Sequence, residues 1–324
     1  MVWIPAREFV MGGVGPEIRP DELPPHRVRV DGLWMDATEV TNAQFRAFID
    51  ATGYITTAQR AIEWEVLRLQ VPPDTPRPDD AMLAPGSLVF TPPHAIRGLA
   101  DITQWWQWVP GADWGHPTGP RSSIEGLDDH PVVHVSHDDA LAYCQWAGKR
   151  LPTEAEWERA ARGELDSAPF IWGDDPITPD RANVFQGQFP VHNAALDGFE
   201  TTAPVATFPA NSMGLHDMAG NVWEWCADYY RGDAYARLAR RIGPDGVALN
   251  PPGPDHCRDP RNPLSTTSRV QRGGSFLCNA VYCSSYRPSA RMGCPGDTSL
   301  SHTGFRCVMD ADPPIIAQTP AGTP

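Results

Sequence analysis

Hydrophobic and polar positions along the chain show a helical period in three stretches, separated by long runs with none. The first opens at Thr41-Asn42-Ala43-Gln44, where Thr41 can cap a helix and Gln44 can reach back as its capping-box partner. Phe45, Phe48 and Ile49 then share one face, which predicts a core stripe, and Gly53 predicts the stop. A second stretch runs from the cap Ser136 to Gly148 and carries Ala140, Leu141, Tyr143 and Cys144. The third starts with a Thr153/Glu156 capping box and ends at Gly163. Strand signals are short: Val28 and Val30 within 26–31, then 269–271 and 305–308. Residues 70–130 are rich in Pro and Trp without a clear period. Trp105, Trp106, Trp108 and Trp114 are too bulky to be left together in water, so this stretch is predicted to be packed loop. Beyond Gly163 the pattern predicts loops and short strands only. The Pro-rich end, 311–324, predicts a disordered tail. Residues 1–310 read as one domain, mostly irregular, with a few helices and short strands.

Composition sharpens that picture. Thirty-five Pro and 28 Gly require many turns, and ordering them costs conformational entropy. The 12 Trp residues, bound metal or a disulfide must offset it. A net charge of −14 argues against non-specific nucleic-acid binding and against docking on anionic lipid. No apolar run is long enough to span a bilayer. The opening Met1-Val2-Trp3-Ile4-Pro5 lacks the pattern of a secretory signal, so a cytoplasmic location is expected. Seven cysteines cannot all pair within the chain, so at least one thiol is free or ligates something.

Three constellations are candidates for chemistry. Cys278 and Cys283 follow Gly273-Gly274-Ser275. At five residues apart they diverge on a straight strand or helix and meet only if the backbone bends. If they meet, a disulfide or a soft-metal site follows; two thiolates suit Cu(I) but do not complete a structural zinc site. Spacing alone favours a plain disulfide or two buried thiols. Second, Asn183 to Glu224 gathers Asp197, Asp217 and Glu224 among glycine-rich turns, the hard oxygens that calcium takes. Spacing alone favours ordinary turn and capping residues there. Third, His134, His137, Asp138 and Asp139 crowd a helix start and read as satisfied surface and capping residues.

Further segments carry a resemblance. They are Glu39-Val40-Thr41-Asn42-Ala43-Gln44-Phe45, Trp114 with His116-Pro117, and His130-Pro131-Val132-Val133-His134-Val135-Ser136. Ala147 through Glu158, Gly220-Asn221-Val222-Trp223-Glu224-Trp225, Arg272-Gly273-Gly274-Ser275 and Gly304-Phe305-Arg306-Cys307 complete them. In this order the chain resembles the formylglycine-generating enzymes, or sulfatase-modifying factors, from about Val2 to Asp310. The resemblance implies an α+β fold with low regular secondary structure, a variant of the C-type-lectin-like fold, stabilised by calcium. It implies oxidation by O2 of the cysteine in a Cys-x-Pro-x-Arg sulfatase motif to Cα-formylglycine, with Cu(I) between Cys278 and Cys283 and a thiol reductant. Ser275, Trp223 and Tyr282 become active-site neighbours. One calcium takes Asn183, Val184, Asp197 and Phe199; the other takes Asp217, Gly220, Val222 and Glu224. The expected partner is an unfolded sulfatase chain, with neither nucleic acid nor membrane involved, and the protein is expected to be a monomer. Cys144 and Cys307 match a structural disulfide of secretory-pathway relatives, and Pro288 takes one position of a second bridge. Cys226, Cys257 and Cys294 receive no role. The rival readings are a calcium-using binding module on the same fold, an iron-dependent sulfur-transfer enzyme, and a thiol–disulfide oxidoreductase.

Overall fold

The computed structural model describes residues 1–13 and 17–311. All of the expected tail except Ala311 lies outside them. The three predicted helices form where their caps place them. Asn42–Thr52 starts on Thr41, with both halves of the Thr41/Gln44 capping box made, and ends on Gly53 in the left-handed conformation. His137–Trp146 starts on Ser136, whose capping-box partner is Asp139. Glu154–Arg162 starts on Thr153 with Glu156 and stops at Gly163. Phe45 and Phe48 are buried as their spacing requires, and Ile49 packs at the edge of the same cluster.

Three small sheets and two hairpins hold the rest. The central sheet orders Met292–Pro295, Ser268–Arg272, Trp223–Tyr229 and Thr303–Gly304. Its first three strands are antiparallel, and Thr303–Gly304 runs parallel to Trp223 and Glu224. A second sheet joins the two ends of the chain by flanking Leu33–Met35 with Val2–Ile4 and Val308–Asp310. The third pairs His26–Val30 with Arg7–Met11 and Val247–Leu249. The result is α+β with little regular structure.

Three expectations fail. Residues 70–130 are not wholly loop: Gly86–Phe90 and Trp106–Pro110 form an antiparallel hairpin. Their connection is long, so no tight-turn signal links them, although Trp106 and Trp108 alternate with Gln107 and Val109 as a strand should. A fourth long helix, Ala234–Ile242, follows residue 163, with Tyr235, Leu238 and Ile242 on its inner face. The expected strand at 305–308 shifts to Val308–Asp310.

The core is unusually charged. Arg272 reaches Glu154 at 2.8 Å and Glu158 at 2.6 Å, and Arg291 takes Glu154 at 2.7 Å. Arg287 pairs with Glu22 and Arg306 with Glu224, each at 2.6 Å. All of these side chains are buried. Such pairs hold the fold only because each charge is matched; removing one partner strands the other.

Candidate functional site

Arg272 ends a strand of the central sheet, and Gly273 and Gly274 turn the chain sharply with φ of 91° and 74°. A Cβ on Gly274 would lie 2.9 Å from the Ser285 carbonyl carbon, 2.9 Å from the Tyr286 nitrogen and 3.1 Å from Cys278 Sγ. Only glycine lets the returning segment 285–286 and the sulfur come this close. Ser275 then starts a turn: its carbonyl accepts the Cys278 amide at 2.8 Å, and its hydroxyl accepts the Leu277 amide at 3.2 Å. A second turn folds back at Asn279, whose carbonyl accepts the Cys283 amide at 2.7 Å. The backbone therefore bends between the cysteines, and Cys278 Sγ lies 2.7 Å from Cys283 Sγ with no disulfide between them.

The two sulfurs differ in setting. Cys278 is 1% exposed, and burial pushes its thiol well above the ordinary range. The contact with Cys278 holds Cys283 down to about 6, with the Arg19 guanidinium a smaller cause. Arg287 braces that side by donating Nε to the Ser284 carbonyl at 3.1 Å while pairing with the buried Glu22.

The remaining predicted neighbours separate. Tyr282 is 38% exposed; its ring stacks on Phe189 at 4.5 Å and meets Trp105 edge-on at 5.8 Å. Those contacts fix the ring beside the sulfurs. Trp223 and Ser275 are buried, and Trp223 packs in the same core cluster as Cys278 and Tyr286. Cys144 and Cys307 lie 3.4 Å apart, buried and unbonded.

His134 and His137 do not sit at the surface, as the sequence predicts; both are buried. His134 bridges Ser87 Oγ at 2.7 Å and the Pro117 carbonyl at 2.8 Å. His137 lies edge-on to Trp225, and its Nε2 has no partner. Burial lowers them to about 4 and about 3, so both stay neutral. Just before this helix, His134 meets Ser87 of the Gly86–Phe90 strand, a contact that the sequence does not reveal. Asp139 completes the helix cap and accepts the Thr57 amide at 3.0 Å.

The hard-oxygen residues come together in two adjoining turns. Gly220 approaches so closely that a Cβ would lie 2.2 Å from the Asn183 carbonyl oxygen, which accepts the Asn221 amide. Asp197 accepts the amides of Phe199 at 2.9 Å and Val184 at 3.3 Å. Asn183 Oδ1 is buried without a partner. In the second turn Asp217 and Asn221 have φ of 58° and 53°, a strained conformation for both. Glu39, missed by sequence reasoning, is buried against Asp217 and Glu224, and its Oε2 has no partner. Burial and then these like charges raise Glu39; burial raises Asp217. Arg306 engages both oxygens of Glu224, at 2.6 and 2.7 Å, and among the described residues it is the one buried guanidinium bonded there. A hard cation fits both turns, because each offers a buried oxygen without a donor and the second carries more negative than positive charge. Two adjacent thiols fit a soft cation. Among the described residues no group of three or more His, Cys, Asp or Glu is arranged as a metal cluster.

A family model described as the sulfatase-modifying factor enzyme 1-like domain matches residues 1–311. The chain is 45% identical over 317 residues to the formylglycine-generating enzyme of Thermomonospora curvata, across 96% of this chain and 93% of that one. It is 42% identical over 313 residues to the formylglycine-generating enzyme of Mus musculus, across 96% of this chain and 75% of that one. Among solved structures, PvdO from Pseudomonas aeruginosa superposes with a TM-score of 0.57 at 22% identity, across 95% of this chain and 93% of that one. That likeness is one of fold.

Proposed function

The chain belongs to the sulfatase-modifying factor family, and on that premise we propose that it is a copper-dependent formylglycine-generating oxidase. Its substrate is the cysteine of a Cys-x-Pro-x-Arg motif in an unfolded sulfatase. The carbon bearing the thiol becomes an aldehyde and the sulfur leaves as sulfide. One O2 is consumed; two protons and two electrons from a thiol reductant balance the equation with one water. Cys278 and Cys283 hold Cu(I), which when bound supplies the one-electron chemistry with O2 that side chains lack.

The bend that brings the two sulfurs side by side, with no disulfide between them, carries this reading. A client cysteine offered beside them meets two sulfurs that the bend already brings together. Tyr282 is positioned to orient oxygen species or to move a proton, with its ring held by Phe189 and Trp105. Ser275 shapes the turn that presents Cys278. Two calcium ions complete the turns: one with Asn183, Val184, Asp197 and Phe199, the other with Asp217, Gly220, Val222 and Glu224.

Aerobic turnover of a Cys-Thr-Pro-Ser-Arg peptide with Cu(I) and a thiol reductant, read by mass, tests the reading. Copper-dependent aldehyde that disappears in Cys278→Ala is expected. Peptide binding without a mass change, under verified copper loading, sinks it.

A further inference from the structure

The chain reverses between Cys278 and Cys283, and one side chain makes the reversal. Asn279 Oδ1 accepts the Val281 amide at 2.9 Å, which closes an Asx turn. Its backbone carbonyl accepts the amides of Tyr282 at 3.1 Å and Cys283 at 2.7 Å. Its Nδ2 donates outward, to the carbonyls of Phe185 at 3.1 Å and Gly187 at 3.3 Å. Phe185 returns the tie by donating its amide to the Cys278 carbonyl at 2.9 Å.

The segment it grips is a firm anchor. Phe185 is buried with Trp105, Phe189, Phe276 and Leu277, and Gly187 pairs with Asn193 in a short hairpin. The tip of the turn has little support of its own, since Val281 is 84% exposed. Contacts of the Tyr282 ring with Phe189 and Trp105 are the other hold on it. Asn279 therefore both forms the bend and ties it to a fixed wall.

We propose that Asn279 is a positioning residue that sets the separation of the two sulfurs. This rests on the reading of Cys278 and Cys283 as copper ligands. Two ligands held in place before binding lose little freedom when the ion arrives, whereas ligands on a loose turn lose more. Asn279 is partly exposed, so its replacement leaves the core intact.

Asn279→Ala and Asn279→Asp in the full chain test this. The aspartate keeps the acceptor for Val281 and loses both outward donations. Cu(I) affinity is read by competition with a chromophoric chelator. The metal-free protein is equilibrated with oxidised glutathione: two thiols pass two electrons and two protons to one glutathione disulfide, giving the 278–283 disulfide and two reduced glutathiones. Peptide mass mapping reads that bond. Both readouts should fall about tenfold in Asn279→Ala and by less in Asn279→Asp, while the urea midpoint stays near that of the parent protein. An alanine variant that matches the parent in both overturns the proposal. So does a loss of Cu(I) affinity that merely follows a lowered midpoint in both variants. If the parent binds no Cu(I), or Cys278→Ala binds it equally, the copper reading fails and the glutathione equilibrium alone decides the role of Asn279.

Discussion

Gly274 shows how much a single residue decides at the sulfur pair. Its φ of 74° disfavours any side chain, and the space a Cβ would need is taken by backbone of residues 285 and 286 and by Cys278 Sγ. Backbone cannot rotate aside as a flexible side chain can. Gly274→Ala should therefore cost roughly 1–3 kcal/mol, the range for a strained backbone position. The same change should slow disulfide closure between Cys278 and Cys283. A urea midpoint unchanged from the parent protein would show that the turn relaxes freely. Gly273, Gly274 and the two cysteines stand out in the sequence as residue types with few substitutes, glycine for its backbone freedom and cysteine for its sulfur. Glu39 and Asn279 do not, because a buried acid and a turn-forming amide look like any other polar residue until their neighbours are known.

Among the elements, the helix Glu154–Arg162 does most to connect fold and site. Its cap is legible as Thr153 and Glu156, and its inward face is not. That face carries Glu154 and Glu158, which a hydrophobic-pattern reading assigns to solvent. Both are held by Arg272, the residue just before the Gly273-Gly274 turn. Arg272→Met would leave Glu158 with Arg162 and Glu154 with Arg291 but would break the tie to the turn. A loss of about 1.5–3 kcal/mol is expected, since charged hydrogen bonds are lost while each carboxylate keeps one arginine. Chemical denaturation at neutral pH measures it, and a loss under 1 kcal/mol would mean that the remaining arginines suffice.

At the scale of the whole molecule, burial of neutral histidines shapes the response to acid. His134 is held at about 4, and His137 and His302 at about 3, against an ordinary value of 6.5. Between those values the unfolded chain binds protons that the folded chain refuses. Stability is therefore present above pH 6.5 and falls as the pH drops toward 4 and then 3. His137→Phe should flatten this slope, as its Nε2 has no partner to lose. Denaturant midpoints from pH 7 to pH 4 would test it; parallel slopes for parent and variant would refute the assignment. The second whole-molecule prediction concerns calcium. If the turns at Asn183 and Asp217 hold it, chelation should lower the melting temperature and added Ca2+ should restore it. Ligand at a hundredfold its Kd contributes about 2.7 kcal/mol. Identical melting with and without chelator would remove calcium from the account.

Local features follow from the chain alone. Two capping boxes and the cap Ser136 placed the starts of three helices, because a cap bonds only within its own turn. The Gly-Gly-Ser segment and two following cysteines stood out only through the family resemblance, since their spacing alone favoured a disulfide or two buried thiols. Tertiary structure decided whatever depends on residues distant in the chain. It brought Cys278 against Cys283 through a bend tied to Phe185, paired strands 86–90 and 106–110 across a long connection, and buried His134 beneath Ser87. It also set Glu39 against Asp217, 178 positions away (217 − 39). Sequence patterns carry the period of an element and the chemistry of a residue, but which surfaces meet is settled by packing, and packing places both the sulfur pair and the buried charges.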